Sequence, residues 1–259
     1  MLTITPIPAF SDNYIWLLRR PGNPVATVVD PGDEEPVLAA LEAEGLTLRA
    51  ILLTHHHQDH TGGVADLLAC WPEARVYGPP DRRIPAVTDA VSEGDEIRPP
   101  GLGAVFRVLE VPGHTSSHVA YLEGGALFCG DTLFAAGCGR VFDGTFEQLA
   151  ASLDRIAALS PDIRVYCAHE YTQANLGFAA WVEPDSPALA ARIDEVRALR
   201  EAGRPTVPSR LADELATNPF LRTRVPEVRA AAEGYAGRPL ASAAEVFTVL
   251  RRWKDEKYD

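Results

Sequence analysis

A mixed α/β domain followed by a small helical one is the architecture this sequence predicts. Over the first two thirds of the chain, short β-rich runs alternate with short helical patterns. After about Tyr171 the texture changes to apolar residues at helical spacing, divided by prolines. On this frame, several histidines and aspartates stand at the ends of expected strands, where α/β proteins usually build their sites.

The expected strands are Tyr14–Leu18, Val25–Val29, Ala50–Thr54, Arg75–Tyr77, Val105–Val111, His118–Leu122, Ala126–Cys129 and Arg164–Cys167, each rich in β-branched, aromatic or other apolar residues. Turn signals separate them: Pro21-Gly22-Asn23-Pro24, Asp30-Pro31-Gly32-Asp33, Pro99-Pro100-Gly101 and Glu123-Gly124-Gly125. Helices are expected at Glu34–Gly45, Gly63–Cys70 and Phe146–Leu159; the first has acidic residues in its opening turn and a glycine at its close. Beyond Tyr171, helical spacing marks Pro187–Ala202 (Leu189, Ile193, Val196, Leu199), Leu211–Ala216 and Ala241–Trp253. Pro205, Pro208, Pro219 and Pro226 read as separators between these segments. The expected division is residues 1–171 for the α/β domain and 172–259 for the helical one.

Composition narrows the function. With 46% hydrophobic and 23% charged residues the chain reads as an ordinary globular protein. No apolar run approaches the roughly 20 residues of a membrane span. The start, Met1-Leu2-Thr3-Ile4, has neither the basic region nor the apolar core of a signal peptide, so a cytoplasmic protein is expected. Cys70, Cys129, Cys138 and Cys167 are scattered, form no CxxC pair and read as reduced core residues. A net charge of −12 argues against nucleic acid or an anionic membrane as partner. It leaves room for a small anionic substrate where cations gather locally, and a monomer is the expected state.

The segment Thr54-His55-His56-His57-Gln58-Asp59-His60 carries most of the chemical information. It follows the buried run Ile51-Leu52-Leu53 and precedes Thr61-Gly62-Gly63. In an extended segment alternate side chains share a face, so His55 and His57 can converge while His56 points away. Asp59 and His60 follow where the chain turns and can reach a second point nearby. Imidazole with carboxylate suits zinc, iron or manganese. Three further ligand candidates close expected strands: His114 after Val111-Pro112-Gly113, Asp131 after Phe128-Cys129-Gly130, and His169 after Val165-Tyr166-Cys167-Ala168. Five histidines and two carboxylates suffice for two metals sharing a bridging carboxylate.

His55-x-His57-x-Asp59-His60, with His114, Asp131 and His169, resembles the metallo-β-lactamase superfamily. The resemblance implies an αββα sandwich. It also implies a binuclear site, with His55, His57 and His114 on one metal, Asp59, His60 and His169 on the other, and Asp131 bridging. More narrowly, Pro112-Gly113-His114-Thr115, Gly130-Asp131-Thr132-Leu133-Phe134, His169-Glu170-Tyr171-Thr172, Asn218-Pro219-Phe220-Leu221-Arg222 and the tail Leu250-Arg251-Arg252 are similar to glyoxalase II, the hydroxyacylglutathione hydrolases. This likeness runs from Asp12-Asn13-Tyr14 to the tail.

It implies hydrolysis of a glutathione thioester, typically S-D-lactoylglutathione, in methylglyoxal detoxification. Two divalent ions, zinc in first place with iron or manganese as alternatives, would supply both nucleophile and electrophile. Asp59 and Asp131 would be the catalytic carboxylates around a bridging hydroxide, and Cys138, with no base partner in sequence, is not expected to act as a nucleophile. The resemblance assigns substrate binding to Arg140, Phe142, Tyr171, Arg251 and Lys254. Arg140 stands where the family often has lysine. Phe142 stands where many members have tyrosine, which removes one hydroxyl from the substrate's surroundings. His56 and His118 read as supporting groups. Rival readings are a persulfide dioxygenase with one iron, a lactonase or β-lactamase, and a non-catalytic metal-binding module. The intact ligand set and the helical tail argue against them.

Overall fold

The computed structural model describes residues 2–258. Met1 and Asp259, the outermost residues of the two expected domains, lie outside the described residues. The chain forms two compact units, one of Met1–Glu110 with Ser117–Gly130, the other of Val111–Ser116 with Asp131–Asp259.

The first unit runs β1 (Thr3–Ala9), β2 (Asn13–Arg19), β3 (Val25–Val29), α1 (Glu34–Glu44), β4 (Thr47–Leu52), α2 (Gln58–Thr61), α3 (Val64–Cys70), β5 (Arg75–Gly78), β6 (Asp89–Ala90), β7 (Glu96–Ile97), β8 (Phe106–Glu110), β9 (Val119–Glu123) and β10 (Ala126–Gly130). Strands β1 to β6 form a sheet in chain order. Its first three strands pair antiparallel and the rest parallel. Strands β7 to β10 form a second, antiparallel run.

Alternation explains why the first sheet is covered on both faces. Ile15, Leu17, Ala26 and Val28 pack with Val37 and Leu41 of α1 and Val64 and Leu67 of α3 in one core. The intervening Trp16, Leu18, Thr27 and Val29 are also buried, on the opposite face. The second sheet is tied to the first by Tyr121 of β9, whose hydroxyl donates to Leu53 O at 2.8 Å and Tyr77 O at 3.3 Å. Helix α1 begins and ends as its sequence predicts: Asp33 accepts from the N–H of Glu35, and Gly45 closes it in the left-handed region at φ 64°.

The second unit is mostly helical. It comprises β11 (Leu133–Phe134), β12 (Gly137–Cys138), α4 (Phe146–Ala157), β13 (Arg164–Cys167), α5 (Thr172–Val182), α6 (Pro187–Glu201), β14 (Ser209–Arg210), α7 (Leu211–Thr217), α8 (Pro226–Ala236) and α9 (Ala243–Lys257). Thr145 and Gln148 form a capping box on α4. Strands β11 and β12 pair as a hairpin, and β13 pairs with β14. Leu176, Ala179, Leu189 and Val196 pack with Ala136 of the hairpin turn.

Several local expectations need correcting. Strand β1 is not among the expected strands; it carries Pro6 and Pro8 and lies at a sheet edge, where proline is tolerated. Pro226 does not separate helices but opens α8, since proline suits the first helical position. Helix α9 continues through Trp253 to Lys257, so Arg251 and Lys254 sit inside it on its buried side. All four cysteines are free, but Cys70 is exposed rather than part of the core.

Candidate metal centre

In the first unit, β4 ends at Leu52, so His55 and His57 lie in the following loop rather than in the strand itself. His57 then caps α2, and this single helical turn carries Asp59 and His60. His55 Nε2 and His57 Nδ1 are 3.0 Å apart, which meets the expectation that the two rings converge. His60 Nε2 stands 3.5 Å from Asp59 Oδ2. His56 turns toward Asp81 at 3.8 Å. His118 stacks on His55 with ring centres 4.6 Å apart and donates from Nδ1 to Val119 O at 3.1 Å.

A carboxylate read from sequence only as a turn residue organises these histidines. Asp30, buried and at φ 52°, accepts from Thr54 N and from Thr54 Oγ1, both at 2.8 Å. Its Oδ2 also lies 3.1 Å from His60 Nδ1, while the other nitrogen of that ring faces Asp59. The single hydroxyl proton of Thr54 is given to Asp30. At its 3.0 Å contact with His55 Nδ1 the hydroxyl therefore accepts, and His55 carries its proton on Nδ1. The His55 ring is thereby left with an unprotonated Nε2, the state a metal ligand needs. Asn13 plays a similar part for Asp59, donating to its Oδ2 at 3.1 Å. The signal available for Asp30 was its place at the end of an apolar strand, the same context that marked Asp131. Asn13 carried no such signal. The loop around Asp30 must also be thin: a Cβ at Gly32 would stand 1.9 Å from Asp59 O.

The second unit gathers His114, Asp131 and His169. His114 Nδ1 donates to Arg140 O at 2.8 Å, because a carbonyl only accepts; its Nε2 is then bare. That nitrogen faces Asp131 Oδ2 at 3.5 Å, and His169 Nε2 faces Asp131 Oδ1 at 3.4 Å. One carboxylate thus offers a different oxygen to each of two histidines. All three residues are buried. Positive charge between an imidazole nitrogen and carboxylate oxygens held this close is favoured, and imidazole with carboxylate is the donor chemistry of zinc, iron or manganese. The chain wraps closely here as well, since a Cβ at Gly139 would meet Asp131 O at 2.0 Å.

The residues expected to bind substrate all belong to this second unit. Phe142 is 64% exposed and stands edge-on to His114, ring centres 5.2 Å apart. Tyr171 is 37% exposed and stacks on His169 at 4.6 Å. Arg140 is half-exposed, 3.7 Å from Asp255. Arg251 is only 1% exposed: it donates to Cys138 O at 3.0 Å, pairs with Asp255 at 2.9 Å and lies over the Phe220 ring. Lys254 is buried near the Tyr258 ring. Burial pushes the Cys138 thiol up to about 11, against the pull of Arg251, which leaves little thiolate for nucleophilic chemistry.

Comparison with known proteins places this arrangement in a family. Residues 10–169 match the profile of the metallo-beta-lactamase superfamily, and residues 170–257 match that of the hydroxyacylglutathione hydrolase C-terminus. The hydroxyacylglutathione hydrolase of Alkalilimnicola ehrlichii is 58% identical, the match covering 99% of this chain and 100% of that protein. That of Pseudomonas fluorescens is 52% identical over the same shares of both chains. Among solved structures, ETHE1 from Myxococcus xanthus shares the fold at a TM-score of 0.68 and 24% identity, covering 100% of this chain and 93% of that one. TTHA1623, solved in a di-iron-bound form, is 31% identical at a TM-score of 0.55, covering 64% of this chain and 91% of its own. By its full-length kinship and its helical C-terminal region, the chain belongs to the hydroxyacylglutathione hydrolase family of the metallo-β-lactamase superfamily.

Proposed function

We propose that the protein is a binuclear-metal thioesterase that hydrolyses S-(2-hydroxyacyl)glutathione, typically S-D-lactoylglutathione, to a 2-hydroxy acid and glutathione. The observation that carries this reading is the 58% identity to a hydroxyacylglutathione hydrolase along both chains, helical region included. In this reading His55, His57 and His114 would hold one metal and Asp59, His60 and His169 the second, with Asp131 serving as the shared carboxylate. The separate approach of His114 and His169 to the two oxygens of Asp131 supports a bridging role. Zinc is the metal we assign, with iron and manganese compatible with the same donors.

When bound, such metals acidify water and polarise a carbonyl. The chain's own residues do the rest. Asp59, held by Asn13, orients the attacking group. Phe142 and Tyr171 present aromatic surface beside the ligand histidines His114 and His169. Arg140, Arg251 and Lys254 supply positive charge for the glutathione carboxylates in a chain of net charge −12. A thiol of pKa about 8.5 leaves readily as thiolate, so no strong general acid is required. The protein works as a monomer in the cytoplasm, and the free cysteines support a reducing compartment. No helix among the described residues is long and apolar enough to cross a membrane.

The test is hydrolysis of S-D-lactoylglutathione, followed by loss of thioester absorbance, on protein of measured metal content. Turnover with about two metals per chain is expected. A metal-replete protein that leaves this thioester intact would reject the assignment of substrate, and persulfides and lactones would be assayed next.

A further inference from the structure

We infer that Glu214 of α7 is a positioning residue for the metal centre, holding the β11–β12 hairpin that links Asp131 to the carbonyl orienting His114. This inference rests on the assignment of His114 and Asp131 as metal ligands.

The hairpin is short and its turn is strained. Ala136 sits at φ 57°, a left-handed conformation that alanine adopts only when its surroundings impose it. Those surroundings are buried polar side chains from the helices of the same unit. Glu214, fully buried, accepts from the Ala136 N–H at 2.7 Å. Asn218 donates to Phe134 O at 3.2 Å and Gly137 O at 2.9 Å, and its amide also donates to Glu214 Oε2 at 3.1 Å. Asn175 of α5 donates to Ala135 O at 3.0 Å, and Arg251 of α9 donates to Cys138 O at 3.0 Å. The backbone of residues 134–138 is thus held at each position by a side chain.

Glu214 is the centre of this arrangement. It is the residue that secures the strained Ala136, and it also braces Asn218, which secures the positions on either side of the turn. Its charge is matched by Arg192, whose guanidinium is paired with Glu214 Oε1 and also donates to Thr217 Oγ1 and Asp213 O.

The hairpin stands between two groups of the metal centre. Three residues before Phe134 comes Asp131, and two residues after Cys138 comes Arg140, whose carbonyl fixes the His114 tautomer at 2.8 Å. Gly139, between them, touches both Asp131 and His114 closely enough to exclude a side chain. A shift of the hairpin therefore moves a ligand and a ligand's orienting group together. Loss of such an orienting contact elsewhere costs about 10- to 100-fold in metal affinity.

The test compares zinc release to a colorimetric chelator from the full-length zinc-loaded protein and from Glu214→Ala, Glu214→Gln and Asp131→Ala, well below the melting temperature of each. Glu214→Ala is expected to release zinc about tenfold faster or more. Glu214→Gln, which keeps one oxygen for the Ala136 N–H, is expected to fall between it and the parent. In cobalt-substituted protein the visible spectrum should shift in the same order. A purely structural role would lower the melting temperature and leave release and spectrum unmoved in folded protein; that result overturns the inference. Should Glu214→Ala not fold, Glu214→Gln decides: faster release supports the inference and an unchanged rate overturns it. Retention of zinc by Asp131→Ala would instead overturn the ligand assignment beneath it.

Discussion

Asp30→Asn isolates one contribution to the metal centre. Asparagine has nearly the shape of aspartate and tolerates the left-handed backbone at φ 52°, so the substitution adds no steric strain. In the parent, Oδ1 accepts from Thr54 N at 2.8 Å, while Oδ2 serves Thr54 Oγ1 at 2.8 Å and His60 Nδ1 at 3.1 Å. With the amide oxygen kept on Thr54 N, the NH2 group replaces Oδ2. The Thr54 hydroxyl can rotate to accept from it, but must then donate toward His55 Nδ1, drawing the His55 proton to Nε2. His60 Nδ1 likewise loses a negative charge 3.1 Å away. His55, one of the proposed ligands, is pushed toward the tautomer that cannot bind a metal through Nε2. A lost orienting carboxylate costs about 10- to 100-fold in metal affinity. A buried donor left unsatisfied costs about 1–3 kcal/mol, the same range. The assay is zinc affinity by competition with a chelator, alongside the melting curve of the metal-free protein. Affinity within twofold of the parent would refute the claim that Asp30 sets the tautomer of His55.

Other outcomes follow from the same contacts. Arg251→Ala strips donors from the Cys138 carbonyl and from Asp255, so the metal-free protein should lose about 1–3 kcal/mol in urea unfolding. The same variant should raise KM for the glutathione thioester if its charge serves the substrate; an unchanged KM would confine Arg251 to a structural role. Iodoacetamide at pH 8 should modify Cys70 rapidly in the native protein. Cys138 and Cys167, with thiols pushed up to about 11 and about 12 by burial, should react only on unfolding, as peptide mass mapping would show. Asp81 is held well below the usual carboxylate range, chiefly by hydrogen bonding with Arg83. Because its folded pKa is depressed, its contribution to stability is present above the unfolded value of about 3.9 and fades as pH falls below it. The melting-temperature gap between the parent and Asp81→Asn should accordingly shrink between neutral pH and pH about 3.

The residues proposed as ligands stand out in the sequence because strand ends and histidine spacing are local signals. Val25–Val29 and Arg164–Cys167 fall where their residues predict, and so do the starts of α1, α4 and α6. Asp30 was misread because a turn aspartate and a buried hydrogen-bond acceptor look alike until burial is known. Strand β1 was hidden because the rule against proline in strands relaxes at an edge, and edge position is a property of the sheet. The burial of Arg251 could not be inferred from a basic run near the C-terminus; it depends on Asp255 one turn later and on a carbonyl at Cys138, far away in sequence.

The family profiles divide the chain after His169, yet the side chains that secure residues 134–138 come from Asn175, Glu214, Asn218 and Arg251. The module that evolution copies as a sequence and the module that holds together as an object are therefore not the same stretch. A relative that exchanged its C-terminal region would need to exchange the hairpin with it. Such pairs of segments should be inherited together, and a chimaera joined at the profile boundary should express as a protein whose first casualty is the loop carrying Asp131.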